Sequence, residues 1–287
     1  MRAIVLAAVL LLPGFAAAQP VLKATQLAES AGGLSQPHDA AFSPDGRLIY
    51  VSDMRNSRMR VLDAMTLKLV GTFGERELSY PHDAEFDRAG RLLVADTGND
   101  RVAIYEVAGA RAKLIGELTG LSGPEGVAVA PDGRVIVSNT RDSTLSVFRD
   151  GRLERAVGAR GTRDGEFSSP HDVETTADGD IYVVDSGNDR VQVFDSEFRH
   201  RATFGSTLAL NGPKYLAFDG DHVWLADEDN HRILLLDRAH RPLGVLGTGK
   251  RGRSAGEFHK PEAVLARAPH VWVVDTHNDR VVLLRIE

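Results

Sequence analysis

The sequence predicts an all-β protein, a six-bladed β-propeller closed by its own N-terminal strand. Three observations predict it. A proline recurs at Pro37, Pro81, Pro124, Pro170, Pro213 and Pro261, at intervals of 43 to 48 residues. An Asp or Asn recurs in phase with it, at Asp53, Asp96, Asn139, Asp185, Asp227 and Asp275. Between these markers lie short runs rich in Val, Ile, Leu and aromatics, separated by turns. Four short strands per unit and a period of roughly 45 residues are those of a propeller blade. Beyond the first residues, no segment sustains a 3.6-residue period with caps, so helices should be few.

The N-terminus reads as a sorting signal. Met1 and Arg2 are followed by an unbroken apolar stretch from Ile4 to Leu12, then Pro13-Gly14 and the small residues Ala16-Ala17-Ala18. That stretch is too short for a stable membrane span and ends in a cleavage-type site. The expectation is a signal peptide over 1–18, cleaved after Ala18, and an exported protein, periplasmic or extracellular. Residues 19–287 then form one propeller domain. Val21 to Ala28 precedes the first proline and belongs to no complete unit. The sixth unit holds only three strands, ending in Val281-Val282-Leu283-Leu284. The N-terminal strand is therefore expected at the outer edge of the last blade, because an open ring would leave unpaired edges.

Within each unit the first hairpin carries a turn such as Pro44-Asp45-Gly46, Pro131-Asp132-Gly133 or Ala177-Asp178-Gly179, where glycine tolerates positive φ. The second turn follows a D-x-x-N-x-R frame: Asp53/Asn56/Arg58, Asp96/Asn99/Arg101, Asp185/Asn188/Arg190, Asp227/Asn230/Arg232 and Asp275/Asn278/Arg280. In the third unit Asn139, Asp142 and Thr144 stand instead. The frame is structural: Asp accepts from turn amides, Asn takes the left-handed position, and Arg returns onto the carboxylate. A calcium loop is excluded, since there is no D-x-D-x-D-G register and no downstream glutamate.

Composition excludes several functions. Lysine plus arginine number 34 against 40 acidic residues, a net charge of −6, which opposes nucleic-acid binding through bulk charge. There is no cysteine, so disulfides, thiolate metal sites and cysteine nucleophiles are absent. No apolar stretch in the body is long enough to span a membrane.

The chemistry gathers at the residue after each blade-opening proline, where the innermost strand meets the channel. In order these are His38, His82, Glu125, His171, Lys214 and Glu262. Each histidine stands in Pro-His-Asp, and strand entry needs no such side chains for stability. Neutral imidazoles are good ligands for Zn2+ or another divalent metal, with carboxylates as ligands or anchors. His38, His82 and His171 are the metal candidates, with Glu125 and Glu262 as further members of the ring. Lys214 is either a repulsive neighbour or a charge-balancing partner to Glu125 or Glu262, and Tyr215 beside it can exchange a proton at the mouth, which makes these two the catalytic candidates. The alternative reading makes the histidines plain channel lining. Two basic connectors, Gly158–Gly165 and Gly247–Arg253, lead to the same face and suit a small anionic ligand. Gly247 to Gly252 fits G-x-G-x-x-G but lacks the strand-loop-helix setting that gives that motif meaning.

The proline-led starts, the Asp-Gly turns and the D-x-x-N-x-R hairpins resemble NHL repeats over essentially all of the chain after residue 18. So do the connectors ending Gly165-Glu166-Phe167 and Gly256-Glu257-Phe258. That family includes RNA- and protein-binding domains, extracellular sensors and enzymes such as the peptidyl-hydroxyglycine α-amidating lyases. Those lyases carry three zinc histidines in Pro-His motifs that open blades, so the resemblance implies the same role for His38, His82 and His171. Here the histidines fall on blades one, two and four. The leading expectation is an exported, monomeric propeller that binds a small anionic ligand, peptide or protein at the channel mouth, with a divalent metal in the channel. The alternative is a metal-dependent lyase or hydrolase. RNA recognition is opposed by export and by negative charge.

Overall fold

The computed structural model describes residues 19–287, and the signal peptide expected over 1–18 lies outside them. Six four-stranded antiparallel sheets stand in a ring. The innermost strands of blades 1 to 5 are Pro37–Phe42, Pro81–Phe86, Pro124–Val129, Pro170–Thr175 and Pro213–Asp219, and that of blade 6 is Ala263–Arg267. The ring closes as the sequence predicts. Ala24–Glu29 pairs antiparallel with Arg280–Ile286, placing the N-terminal strand at the outside of blade 6.

Apolar residues from facing sheets interlock between neighbouring blades. Blades 6 and 1 share a core of Leu34, Ile49, Val51, Trp272, Val274 and Val281, among others. The Trp272 indole N–H donates to the Ala64 carbonyl at 2.6 Å, and its ring meets Phe42 edge-on at 4.9 Å. A buried indole needs such an acceptor, and this one fastens the last blade to the first.

The recurring turn is a short 3-10 segment in five blades, as at Thr97–Asn99 and Ser186–Asn188. Its Asp is fully buried in all five and accepts from a connector amide, such as Ser79 N to Asp96 at 2.6 Å and Ser168 N to Asp185 at 2.6 Å. Asn99 Nδ2 and Arg101 Nε then donate to the second carboxylate oxygen of Asp96, at 2.8 and 2.7 Å. The left-handed position falls one residue after the asparagine, at Ser57, Asp100, Asp189, His231 and Asp279. The asparagine is held inside the turn by its carboxylate bond, so the cap takes the positive φ instead. Blade 3 closes the same turn without charge: Asn139 accepts from Ser122 N at 3.1 Å and donates to Ser146 Oγ at 2.8 Å.

Blades 1 to 5 share an irregularity that shapes the channel. Strand register slips immediately after the opening proline, between Pro37 and Ala40, Pro81 and Ala84, Pro124 and Val127, Pro170 and Asp172, and Pro213 and Leu216. A regular strand turns successive side chains to opposite faces, whereas a bulge can present two in a row to one side. The His and the Asp of each Pro-His-Asp thus both reach the channel.

Candidate functional site

The channel is narrow enough for opposite blades to touch. The His38 ring lies 4.3 Å from that of His82 in the next blade and 6.2 Å from that of His171 across the axis, where the two are stacked. His82 and His171 are 6.3 Å apart. Uneven spacing over blades one, two and four therefore does not separate the three imidazoles. One donor atom each from His38, His171 and Glu262 lies within 4.8 Å of the others, and all three residues are buried. Tetrahedral zinc with bonds of ~2 Å sets its ligands about 3.3 Å apart, so a modest contraction would complete the set.

The polar atoms here are short of partners. His38 Nδ1 and Glu262 Oε2 approach to 2.8 Å, yet neither is aligned for a hydrogen bond, and His171 Nδ1 has no partner among the described residues. Buried polar atoms normally find one. His171 Nε2 stands 3.3 Å from Glu125 Oε2, and His82 Nε2 stands 3.9 Å from Glu125 Oε1. His82 Nδ1, by contrast, is fully engaged, 2.8 Å from both the Tyr80 carbonyl and Thr97 Oγ1.

Electrostatics divide the ring. Burial, with positive neighbours, lowers the His82 pKa to about 3 and holds His171 well below the ordinary imidazole range, so both are neutral. Burial also raises Glu125, against the opposing pull of Lys214. For Glu262 burial acts in the same direction, but His38, Lys214 and His82 outweigh it and hold the carboxyl below its usual value. The two glutamates are thus pushed in opposite directions. Pairs pushed apart in this way are a mark of sites that move protons or hold charge.

The remaining candidates take supporting places. Lys214 Nζ lies 3.5 Å from Glu228, which also receives Lys260 at 3.1 Å, and its charge acts on Glu125 and Glu262 as well. Tyr215 is buried below the ring, edge-on to His171 at 4.8 Å, and its hydroxyl donates to the Glu125 carbonyl at 3.1 Å. Burial raises its pKa, so it keeps its proton. In the basic connectors, Arg163 pairs with Glu166, Arg253 with Glu29, and Arg160 donates to the Arg141 carbonyl. Lys250 and Arg251 make no ion pair among the described residues. The 247–252 segment is a loop, as its lack of motif context predicts.

Two further layers of side chains escape a reading of the proline-led positions alone. Below the histidines, Asp39, Asp83 and Asp172 line the channel, and Glu85 and Glu174 follow two residues on. Asp39, Asp83, Glu85 and Glu174 face a cavity of about 380 Å³ whose wall includes Phe42, Phe86 and Phe218. Asp83 accepts from Val127 N at 2.6 Å, Asp172 from Leu216 N at 2.9 Å and Glu85 from Val129 N at 2.6 Å, each in the next blade. Burial raises all five, Asp83 to about 6, and Asp39 shares a hydrogen bond with Asp83. The signal that locates Glu85 and Glu174 is strand alternation, which returns to one face every second residue.

The NHL repeat model matches residues 121–148 and 167–194, which are the first three strands of blades 3 and 4. Human NHL repeat-containing protein 3 is 30% identical over 93 residues, covering 31% of this chain and 26% of that protein. A streptogramin B lyase structure superposes with a TM-score of 0.67 at 12% identity, covering 93% of this chain and 98% of that one. An auxiliary nutrient-binding protein from Bacteroides ovatus superposes with a TM-score of 0.68 at 15% identity, covering 95% and 74%. At such identities the likeness is one of fold. The closed ring and the superpositions agree on a six-bladed β-propeller, and its third and fourth blades match the NHL repeat.

Proposed function

We propose that the protein is an exported ligand-binding propeller whose histidine-bearing channel mouth holds a divalent ion, which in turn receives a small anionic ligand or a peptide carboxylate. The observation that carries this reading is the convergence of buried donor atoms of His38, His171 and Glu262 within 4.8 Å of one another. A divalent ion such as zinc would satisfy them together, and two imidazole nitrogens with one carboxylate oxygen suit its preferences. When bound it would supply a Lewis-acidic position facing the mouth. The chain's own residues would hold it, exclude bulk water and keep Lys214 and Lys260 nearby.

Elemental analysis of protein purified without chelators tests the reading. About one equivalent of divalent metal per chain is expected, with a higher Tm on adding zinc, since a ligand that binds only the folded state stabilises it. H38A, H171A and E262A should each lower zinc affinity at least tenfold. A metal-free protein whose melting curve ignores zinc would sink it. N-terminal sequencing of the secreted product should begin at Gln19.

A lyase or hydrolase is the second reading, favoured by one observation: Glu125, its carboxyl raised by burial, faces the two neutral imidazoles of His82 and His171 beside the ion position. Turnover abolished by E125Q with metal content unchanged would favour it over simple binding.

A further inference from the structure

Behind the channel ring stands a second ring, formed by the residue that follows each blade's recurring Asp or Asn. In blades 2, 3 and 4 this residue carries a hydroxyl that donates to the proline carbonyl opening the next blade. Thr97 donates to Pro124, Thr140 to Pro170 and Ser186 to Pro213. The first purpose of the hydroxyl is thus to clamp neighbouring blades. In blade 2 alone it also touches a histidine.

Hydrogen counting fixes the state of that histidine. The Tyr80 carbonyl can only accept, so His82 Nδ1, 2.8 Å away, must carry a hydrogen. The one hydroxyl hydrogen of Thr97 is committed to the Pro124 carbonyl at 2.5 Å. Thr97 Oγ1 therefore meets Nδ1–H with a lone pair, at 2.8 Å, and the two contacts demand the same tautomer. A neutral imidazole has one ring hydrogen, so Nε2 is bare. It faces the channel, 3.9 Å from Glu125 Oε1.

We infer that Thr97, with the Tyr80 carbonyl, is a positioning pair that locks His82 as the Nδ1–H tautomer and gives the channel mouth a permanent Nε2 lone pair. The other two histidines lack such a device. His171 Nδ1 has no partner, and His38 stands in blade 1, where the corresponding residue is Met54. His82 is the pre-aimed imidazole of the three, and its role as a third nitrogen donor rests on the ion proposed above. A second-layer acceptor on the far ring nitrogen is how metal-binding histidines are generally oriented, and its loss typically weakens metal binding 10- to 100-fold.

The test uses the full mature chain, labelled with 15N-histidine and stripped of metal, in two-bond 1H–15N correlation NMR at neutral pH. Wild-type His82 should give the pattern of the Nδ1–H form. T97V leaves the Tyr80 carbonyl as the sole anchor on Nδ1, so the share of the Nε2–H form should rise, and T97S should restore the wild-type pattern. Near-ultraviolet circular dichroism confirms that each variant is folded. Zinc titration should show T97V weaker by at least tenfold and T97S within about twofold of wild type. A wild-type His82 in the Nε2–H form would overturn the inference, as would a T97V spectrum identical to wild type. A protein that takes up no zinc would remove the ion while the tautomer pattern still upheld the lock, so the two failures are distinguishable.

Discussion

At the scale of single residues, the protein places charge where only the local arrangement makes it tolerable. Asp96 is fully buried but receives Ser79 N, Asn99 Nδ2 and Arg101 Nε, so the carboxylate is answered on every side. Replacing Asp96 with Ala leaves Arg101 and two amide donors without their acceptor. Loss of one partner from a buried pair costs about 3–5 kcal/mol, and D96A should lose that much in urea unfolding. Blade 3 offers the control, because Asn139 fills the same place with neutral hydrogen bonds to Ser146 and Ser122 N. N139D should destabilise too, since no arginine stands at the Thr144 position to receive the new charge. An N139D protein more stable than wild type would contradict this account of the turn.

At the scale of elements, the N-terminal strand is the latch. Ala24–Glu29 covers the edge strand Arg280–Ile286, and Glu29 pairs with Arg280 at 3.0 Å and Arg253 at 2.6 Å. A truncated protein starting at Ser30 should expose that edge, melt at lower temperature and aggregate by strand pairing, which light scattering would show. A truncated protein with unchanged Tm would contradict the latch.

This strand was legible in the sequence because Val21–Ala28 fitted no complete unit and the sixth unit lacked one. The channel ring was legible because the proline spacing marks one position in every blade. Other features were not. The hydroxyl clamps join residues 27 to 30 apart across blades, such as Thr97 to Pro124 and Thr140 to Pro170. The aspartate layer depends on the register slip after each proline, which alternation alone does not foretell. That a Glu262 oxygen converges with nitrogens of His38 and His171 depends on side-chain directions across a narrow channel, beyond the reach of spacing.

At the scale of the whole molecule, the propeller gathers six inner strands round one axis and so collects their acids. Glu85 and Glu174 sit at the lower end of the channel, raised first by burial and then by neighbouring carboxylates. A carboxyl whose pKa is raised by folding binds its proton more tightly in the native state. Its stabilising contribution is complete below the unfolded value near 4.5 and is lost as pH climbs through the raised one. The double variant E85Q/E174Q should therefore match wild type in Tm near pH 4 and exceed it at pH 8. A variant that melts below wild type at pH 8 would show that these acids are stabilised by something other than protonation.

The central claim is that the channel mouth is built to hold an ion between His38, His171 and Glu262. Anomalous X-ray scattering from a zinc-soaked crystal, collected on both sides of the zinc absorption edge, tests it most directly. The account predicts one strong anomalous peak on the channel axis within bonding distance of those three side chains, and its disappearance in H171A. A density map with no peak at the mouth, or with zinc held only at surface histidines such as His259 and His277, would contradict it.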